Sequence, residues 1–230
     1  QLGHPPADEA ARAACRALAH LVPTLSAERV AAELMKLLAA RDPLPALALM
    51  REDAVLPVIL PEAIRFDRLA GMVAIEPEPD AVRRLSALVE VDGEGALVLS
   101  RRLRLSNEQR DRLHALAAPQ WPLDIAGGPR AQRRALYHLG AQRYRDLVLL
   151  RAAEQGPSAR RRARALLARA DKIGALEFPL RGRDVTALRV KPGPHVGELL
   201  KEVAVWWEAG DFRADRKACL AELRARARVR

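Results

Sequence analysis

The chain has 230 residues, a formal net charge of +10 from 39 Lys and Arg against 29 Asp and Glu, and an aromatic content of only 3%. That length suffices to bury about 70% of the surface the unfolded chain exposes, so the core needs no disulfide or metal staple, and so few rings exclude a stacking platform for single-stranded nucleic acid. The cationic excess, nearly all arginine, favours a polyanionic partner, although an Arg-rich soluble surface spread over folded helices gives the same total.

Abundant Ala, Leu and Arg predict helix throughout, and so an all-α fold. After His4-Pro5-Pro6, Ala7 to Val22 reads as a helix with Ala14, Leu18 and Leu21 on one side, stopped by Pro23. Ser26 then caps a helix reaching about Ala40, with Glu28 in its first turn and Val30, Leu34, Leu37 and Leu38 as its buried stripe. Arg29 and Glu33 stand four residues apart, a pair worth about 0.2–0.5 kcal/mol on a helix surface. Pro43 and Pro45 open a short helix through Met50, and the proline-chopped run 55–61 reads as a turn packed inside. Helices follow over Arg65–Ile75, Asp80–Val91 and Gly95–Leu103, with Asp92-Gly93-Glu94 as a turn. Ser106 with Gln109 forms a capping box for the next helix. Pro119 to Pro129 is the clearest irregular linker, and beyond it Arg130–Gly140 and Gln142–Gln155 read as a helical hairpin.

Gly156-Pro157-Ser158 is a further break, taken as a subdomain boundary. From Ser158 to Asp171, Ala163, Leu166, Leu167 and Ala170 share one face, leaving Arg160, Arg161, Arg162, Arg164 and Arg169 off it, the densest basic surface of the chain. A last helix after Gly210 buries Cys219, Leu220 and Leu223. Cys15 and Cys219 lack CxxC spacing and read as buried free thiols of a reducing compartment. No stretch has the roughly 18 apolar residues of a membrane span, and no basic-then-apolar leader opens the chain, so a cytoplasmic location without membrane partners is expected. The chain begins at Gln1 in what reads as mid-domain sequence, as a fragment would.

Catalytic and metal motifs are missing from the pattern. There is no GxxxxGK, GxGxxG, GxSxG or HExxH, the histidines at 4, 20, 114, 138 and 195 lack ligand spacing, and no two aspartates stand one residue apart to gather metal ions. No catalytic residue and no metal ligand is therefore assigned. Basic clusters are better supported. Arg130, Arg133, Arg134 and Tyr137 share a helix face that suits phosphates, with the ring set for a sugar or base. Arg101, Arg102 and Arg104 form a second cluster, and Arg160, Arg161 and Arg164 a third.

The least anonymous stretch is FPLRGRDVTALRVKPGPHVGELL, residues 178–200. Two prolines bracket Gly193, and Pro194 suits the first position of a helix whose apolar face is Val196, Leu199, Leu200, Val203 and Trp207. The free N–H groups at its start, with Gly193 and Gly197 allowing close approach and Lys191 and His195 alongside, make a phosphate seat. The same residues also read as a tight interhelical turn whose glycines serve packing alone. Arg181 and Arg183 add charge to this stretch and join the candidate RNA contacts.

This stretch, followed by WWEAGDF and ADRKACLAEL, resembles the C-terminal tail of bacterial class II CCA-adding tRNA nucleotidyltransferases, the family that also contains bacterial poly(A) polymerases. LSAERVAAELMKLL resembles its neck motif, and AVLPVILPEA and LRLSNEQRDRL its helical body, all in the family's order. The resemblance implies an elongated array of short helices, with a neck remnant at 1–42, a body at 43–156 and a tail at 157–230. It implies that Glu28, Arg29 and Glu33 brace the nucleotide-selecting neck, while body and tail grip the acceptor and T-arm of tRNA by backbone phosphates. The family's catalytic head, with its Gly-Ser motif and Asp-x-Asp metal pair, has no counterpart here; Gly182-Arg183-Asp184 only echoes one of its motifs. Mg2+ with CTP and ATP thus belongs to the full-length family enzyme, and this chain is expected to be inactive without a head supplied in cis or in trans, as in a split enzyme. Arg189 stands where the family has Gly, which with Lys191 makes the corner more basic. Another reading is a helical protein–protein adaptor with incidental arginines, an exposed apolar patch and a salt-insensitive partner.

Overall fold

A computed structural model describes residues 8–188, 190 and 193–228. Among them the chain folds into thirteen α-helices with a single isolated bridge between Ala63 and Val89. The order is α1 (Glu9–Leu18), a 3-10 turn (Ala19–Thr24), α2 (Ala27–Leu38), α3 (Leu44–Glu52), α4 (Leu56–Ile59), α5 (Phe66–Val73), α6 (Ala81–Leu88) and α7 (Gly93–Arg102). Then come α8 (Asn107–Ala117), α9 (Pro129–Gln155), α10 (Pro157–Ile173), α11 (Gly182–Thr186), α12 (Pro194–Ala209) and α13 (Arg216–Arg228). The helices sit where local signals put them. Ser106 Oγ accepts the Gln109 N–H at 3.2 Å while Gln109 accepts the Ser106 N–H at 3.0 Å, the reciprocal cap read from the sequence. Asp92, expected in a turn, instead caps α7 by accepting the Gly95 N–H at 2.8 Å. Gly140, at φ 73°, breaks α9 where the sequence places a break, a left-handed conformation that a Cβ resists.

The chain divides into two compact units. The first comprises the described residues up to Ala126 with Gln142–Ala168, and the second Gly127–Ala141 with the residues from Arg169 onward. In the first, Leu38, Leu47, Leu56, Leu69, Leu85 and Leu113 have no more than 1% of their surface exposed. Its α5 crosses the second half of α9 so closely that a Cβ on Gly71 would lie 2.4 Å from the Ala153 carbonyl oxygen, which explains glycine there.

That core is locked by buried charge. Asp146, fully buried, accepts from Arg83 at 3.1 Å and from Arg112 at 2.7 and 2.9 Å, joining α6 and α8 to α9. Arg84, 1% exposed, donates to Glu76 and to the carbonyls of Leu38, Ala40 and Arg41, so it satisfies the end of α2, where carbonyls lack intrahelical partners. Arg68 does the same for Ser86, Ala87 and Val89 at the end of α6, and also meets Glu154 at 2.9 Å.

The second unit is built around Leu180, Val185, Leu199, Val203, Trp207, Cys219 and Leu223. Phe178, Tyr137 and Phe212 pack their rings on Trp207 at centroid distances of 5.7, 5.6 and 5.0 Å. The apolar stripe read on α12 is thus the centre of this core, and Cys219 is buried as expected. Cys15 is not. It lies exposed on α1, because that helix buries none of its residues and alanine-rich spacing alone does not supply a surface to pack against.

Candidate RNA-binding surface

In the first unit, α2 starts at Ser26, whose hydroxyl accepts the Arg29 N–H at 3.3 Å and donates to the Glu28 carboxylate at 2.8 Å. The Glu28 backbone N–H and that hydroxyl hold the Glu28 carboxyl below the usual carboxylate range. Glu33 does not turn back to Arg29. It takes Lys36 at 2.7 Å, one turn nearer the end of the helix, and leaves Arg29 exposed with no ion pair among the described residues. The sequence pair Arg29–Glu33 is therefore replaced by Glu33–Lys36.

The cluster at the end of α7 is divided. Arg102 forks onto Glu62 at 2.9 and 2.6 Å; burial pushes the Glu62 carboxyl up, but this guanidinium outweighs it and holds it below its ordinary value. Arg104, in a left-handed conformation at φ 51°, approaches Glu28 only to 3.8 Å, while Arg101 is exposed with no ion pair among the described residues.

On α10 the apolar face of Ala159, Ala163 and Leu167 is buried, which leaves Arg161, Arg162 and Arg164 exposed. None of the three has an ion pair among the described residues, so their charge is uncompensated locally. Arg160 is half-buried, its Nε without a hydrogen-bond partner. Here the sequence-predicted residues are brought together on one helix, and as free cations.

The second unit uses its predicted arginines differently. Arg133 forks onto Asp211, Arg134 and His138 meet Glu208, and Arg130 donates to the Ala209 carbonyl at 2.8 Å. Tyr137 lies among Trp207, Phe212 and His138. These residues clip the start of α9 to the end of α12, and RNA would have to compete with carboxylates already in place. The Arg133 guanidinium holds the Asp211 carboxyl below its usual range; for Glu208, burial pushes up but the bonds from Arg134 and His138 prevail and lower it. Asp184 is held low by Arg216 and by the Arg181 N–H at 2.7 Å. All three carboxyls have folded pKa values below the unfolded ones. Their contribution is thus complete above about pH 4, the ordinary carboxylate range, and is lost as pH falls through the lower folded values. Near-ultraviolet circular dichroism of the Trp207 cluster should accordingly weaken on acidification below about pH 4; a signal that stays constant or strengthens there contradicts the assignment.

At the start of α12, Gly193 occupies the cap position without a side-chain bond, and His195 Nδ1 lies 3.2 Å from Glu198. A Cβ at Gly193 or Gly197 would meet nothing within 4 Å, so packing does not demand glycine at either position. Arg181 and Arg183 are exposed on and beside α11. Lys191 and Arg189 lie outside the described residues. Among those described, no three His, Cys, Asp or Glu side chains gather to hold a metal ion, and no helix is long and apolar enough to cross a membrane.

The first unit is thus an all-helical scaffold with buried ion pairs inside and arginines without ion pairs among the described residues outside. Residues 8–66 match a family described as the probable RNA and SrmB-binding site of polymerase A. That segment runs from α1 to the start of α5 and contains both LSAERVAAELMKLL and AVLPVILPEA, so the likeness of these motifs to the polymerase A and CCA-adding family holds, and the segment matches an RNA-binding domain. A search of curated proteins found no match.

Proposed function

We propose that this chain is the tRNA-gripping neck, body and tail of a CCA-adding tRNA nucleotidyltransferase, acting in tRNA 3′-end maturation in the cytoplasm. The single observation that carries the reading is the match of residues 8–66 to an RNA-binding domain of polymerase A. The uncommitted cations of α10 supply the chemistry beside it. Guanidinium groups contact phosphate oxygens by charge and hydrogen bonding and fix register without reading bases. With Tyr137 and its neighbours packed on one another, stacking on unpaired bases contributes little, and a folded RNA with acceptor and T-arm helices is the ligand that fits. Nucleotide chemistry, with Mg2+, CTP and ATP, falls to a head domain in cis or in trans, for which Glu28, Arg29 and Glu33 brace the neck.

Filter binding of tRNA against an unstructured RNA of equal length tests this. The proposal expects tRNA to bind at least about tenfold tighter, and no nucleotide incorporation into tRNA lacking its 3′ end by the chain alone. Equal affinity for the unstructured strand, or unaided extension, overturns it.

A further inference from the structure

Helix α6 lies inside the first unit with seven of its eight residues buried, two of them the consecutive arginines Arg83 and Arg84. Arginine is almost never buried unless paired, and each of these is paired on a different side. Arg84 reaches the end of α2, donating to the Leu38 carbonyl at 2.6 Å and to those of Ala40 and Arg41. Arg83 reaches α9, donating to Asp146 at 3.1 Å. Between them stands Glu76, its side chain 1% exposed, with one oxygen accepting from Arg84 and the other from Arg83 at 2.8 and 3.1 Å. Beyond Asp146 the series continues through the half-buried Arg112, at 2.7 Å, to Asp80, at 2.8 Å, which caps α6 by accepting the Arg83 N–H at 2.9 Å.

Signs alternate along this series, three guanidinium groups against three carboxylates, and the carbonyls of α2 complete the cation at its end. Withdrawing the end of α2 would leave Arg84 with unfilled buried donors and draw Glu76 toward it or toward Arg83, which Asp146 shares. In a low-dielectric interior such neighbours strengthen one another, so a change at one end is felt at the other. Arg68 adds a second tie, from the carbonyls at the end of α6 to Glu154 at 2.9 Å. Asp146 and Glu154 bracket the part of α9 that leads into α10, which is thus fastened to α6 at both ends.

We propose that this series is a relay that couples the seating of the end of α2 to the second half of α9 and α10, so that RNA held by the arginines of α10 steadies α2 without touching its end. Helix α2 carries Glu28, Arg29 and Glu33, so the relay regulates the segment assigned to bracing the head. Coupling between two sites needs a contiguous physical link whose state both can bias, and the hydrogen-bonded ions supply it. The inference rests on the RNA reading for its ligand and on the ion series for its path, and the two fail separately.

A double-mutant cycle in urea tests the path without RNA. Arg84 and Asp146 bond to different partners and are joined only through Glu76 and Arg83. If they act independently, Arg84→Lys and Asp146→Asn multiply their effects on the unfolding constant of the first unit to within about twofold. The relay expects the double variant to be at least about tenfold less destabilised than that product, because the second break falls on a series already interrupted. Hydrogen exchange with tRNA tests the coupling. In the wild-type chain tRNA should slow exchange at the amides of Leu37 to Ala40 by at least about tenfold. Arg84→Lys should remove that slowing while affinity for tRNA stays within about twofold, since opening at the end of α2 is rare in either protein. A side chain that only stabilised the fold would speed exchange in the free protein and leave the effect of tRNA intact. Multiplicative effects in the cycle, no slowing by tRNA in the wild-type chain that binds it, or slowing that survives Arg84→Lys would each overturn the relay. Failure of tRNA to bind at all would overturn the RNA reading, and with it the ligand of the relay, whatever the cycle shows.

Discussion

Asp146→Ala should lower the stability of the first unit by about 3–5 kcal/mol, the cost typical of removing one partner of a buried ion pair. Asp146 is fully buried and receives Arg83 and Arg112 together, so its loss removes the carboxylate they share and leaves Arg83 with Glu76 and Arg112 with Asp80, two guanidinium groups around an emptied buried site. Like charges in that setting repel as well as lose their bonds, and the second half of α9 loses its tie to α6 and α8. Urea unfolding followed by helix signal measures the effect. Asp146→Asn keeps the shape and part of the hydrogen bonding, and should fall between wild type and the alanine variant. A loss below about 1 kcal/mol for Asp146→Ala, the range of exposed pairs, would mean that the hub is not what joins these helices.

Reversing charge at Arg161 and Arg164 together should weaken tRNA binding by about tenfold or more and flatten its salt dependence by roughly two contacts, while leaving the helix content unchanged. Both side chains are exposed and without ion pairs among the described residues, so nothing in the fold depends on them. Arg133→Glu is the informative contrast. It breaks the fork onto Asp211 and sets two carboxylates together, so its expected effect is on the stability of the second unit. If instead Arg133→Glu abolishes binding in a fully folded protein and the α10 pair does not, the RNA contacts lie at the start of α9.

How far the sequence reaches is plain from the arginines. Apolar periodicity and caps are local signals, and they locate α2, α8, α12 and the break at Gly140 because the partners are within a turn. The role of an arginine is not local. Arg84 satisfies carbonyls 43 to 46 positions away, and Arg83 meets an aspartate 63 positions away. Their residue type and helix position are indistinguishable from those of Arg161, which faces solvent. For the same reason the cluster of Arg130, Arg133, Arg134 and Tyr137 reads as an open phosphate clamp, although its carboxylate and aromatic partners arrive from α12 and the turn after it. A usable signal did exist: Glu208 and Asp211 follow the twin tryptophans and supply acid to a chain segment otherwise destined for burial.

The salt dependence of tRNA affinity tests the central claim most directly. With a handful of phosphates neutralised by free arginines, log K should fall against log salt concentration with a slope of roughly −3 to −5. An affinity that stays flat from low to moderate salt contradicts binding through the RNA backbone.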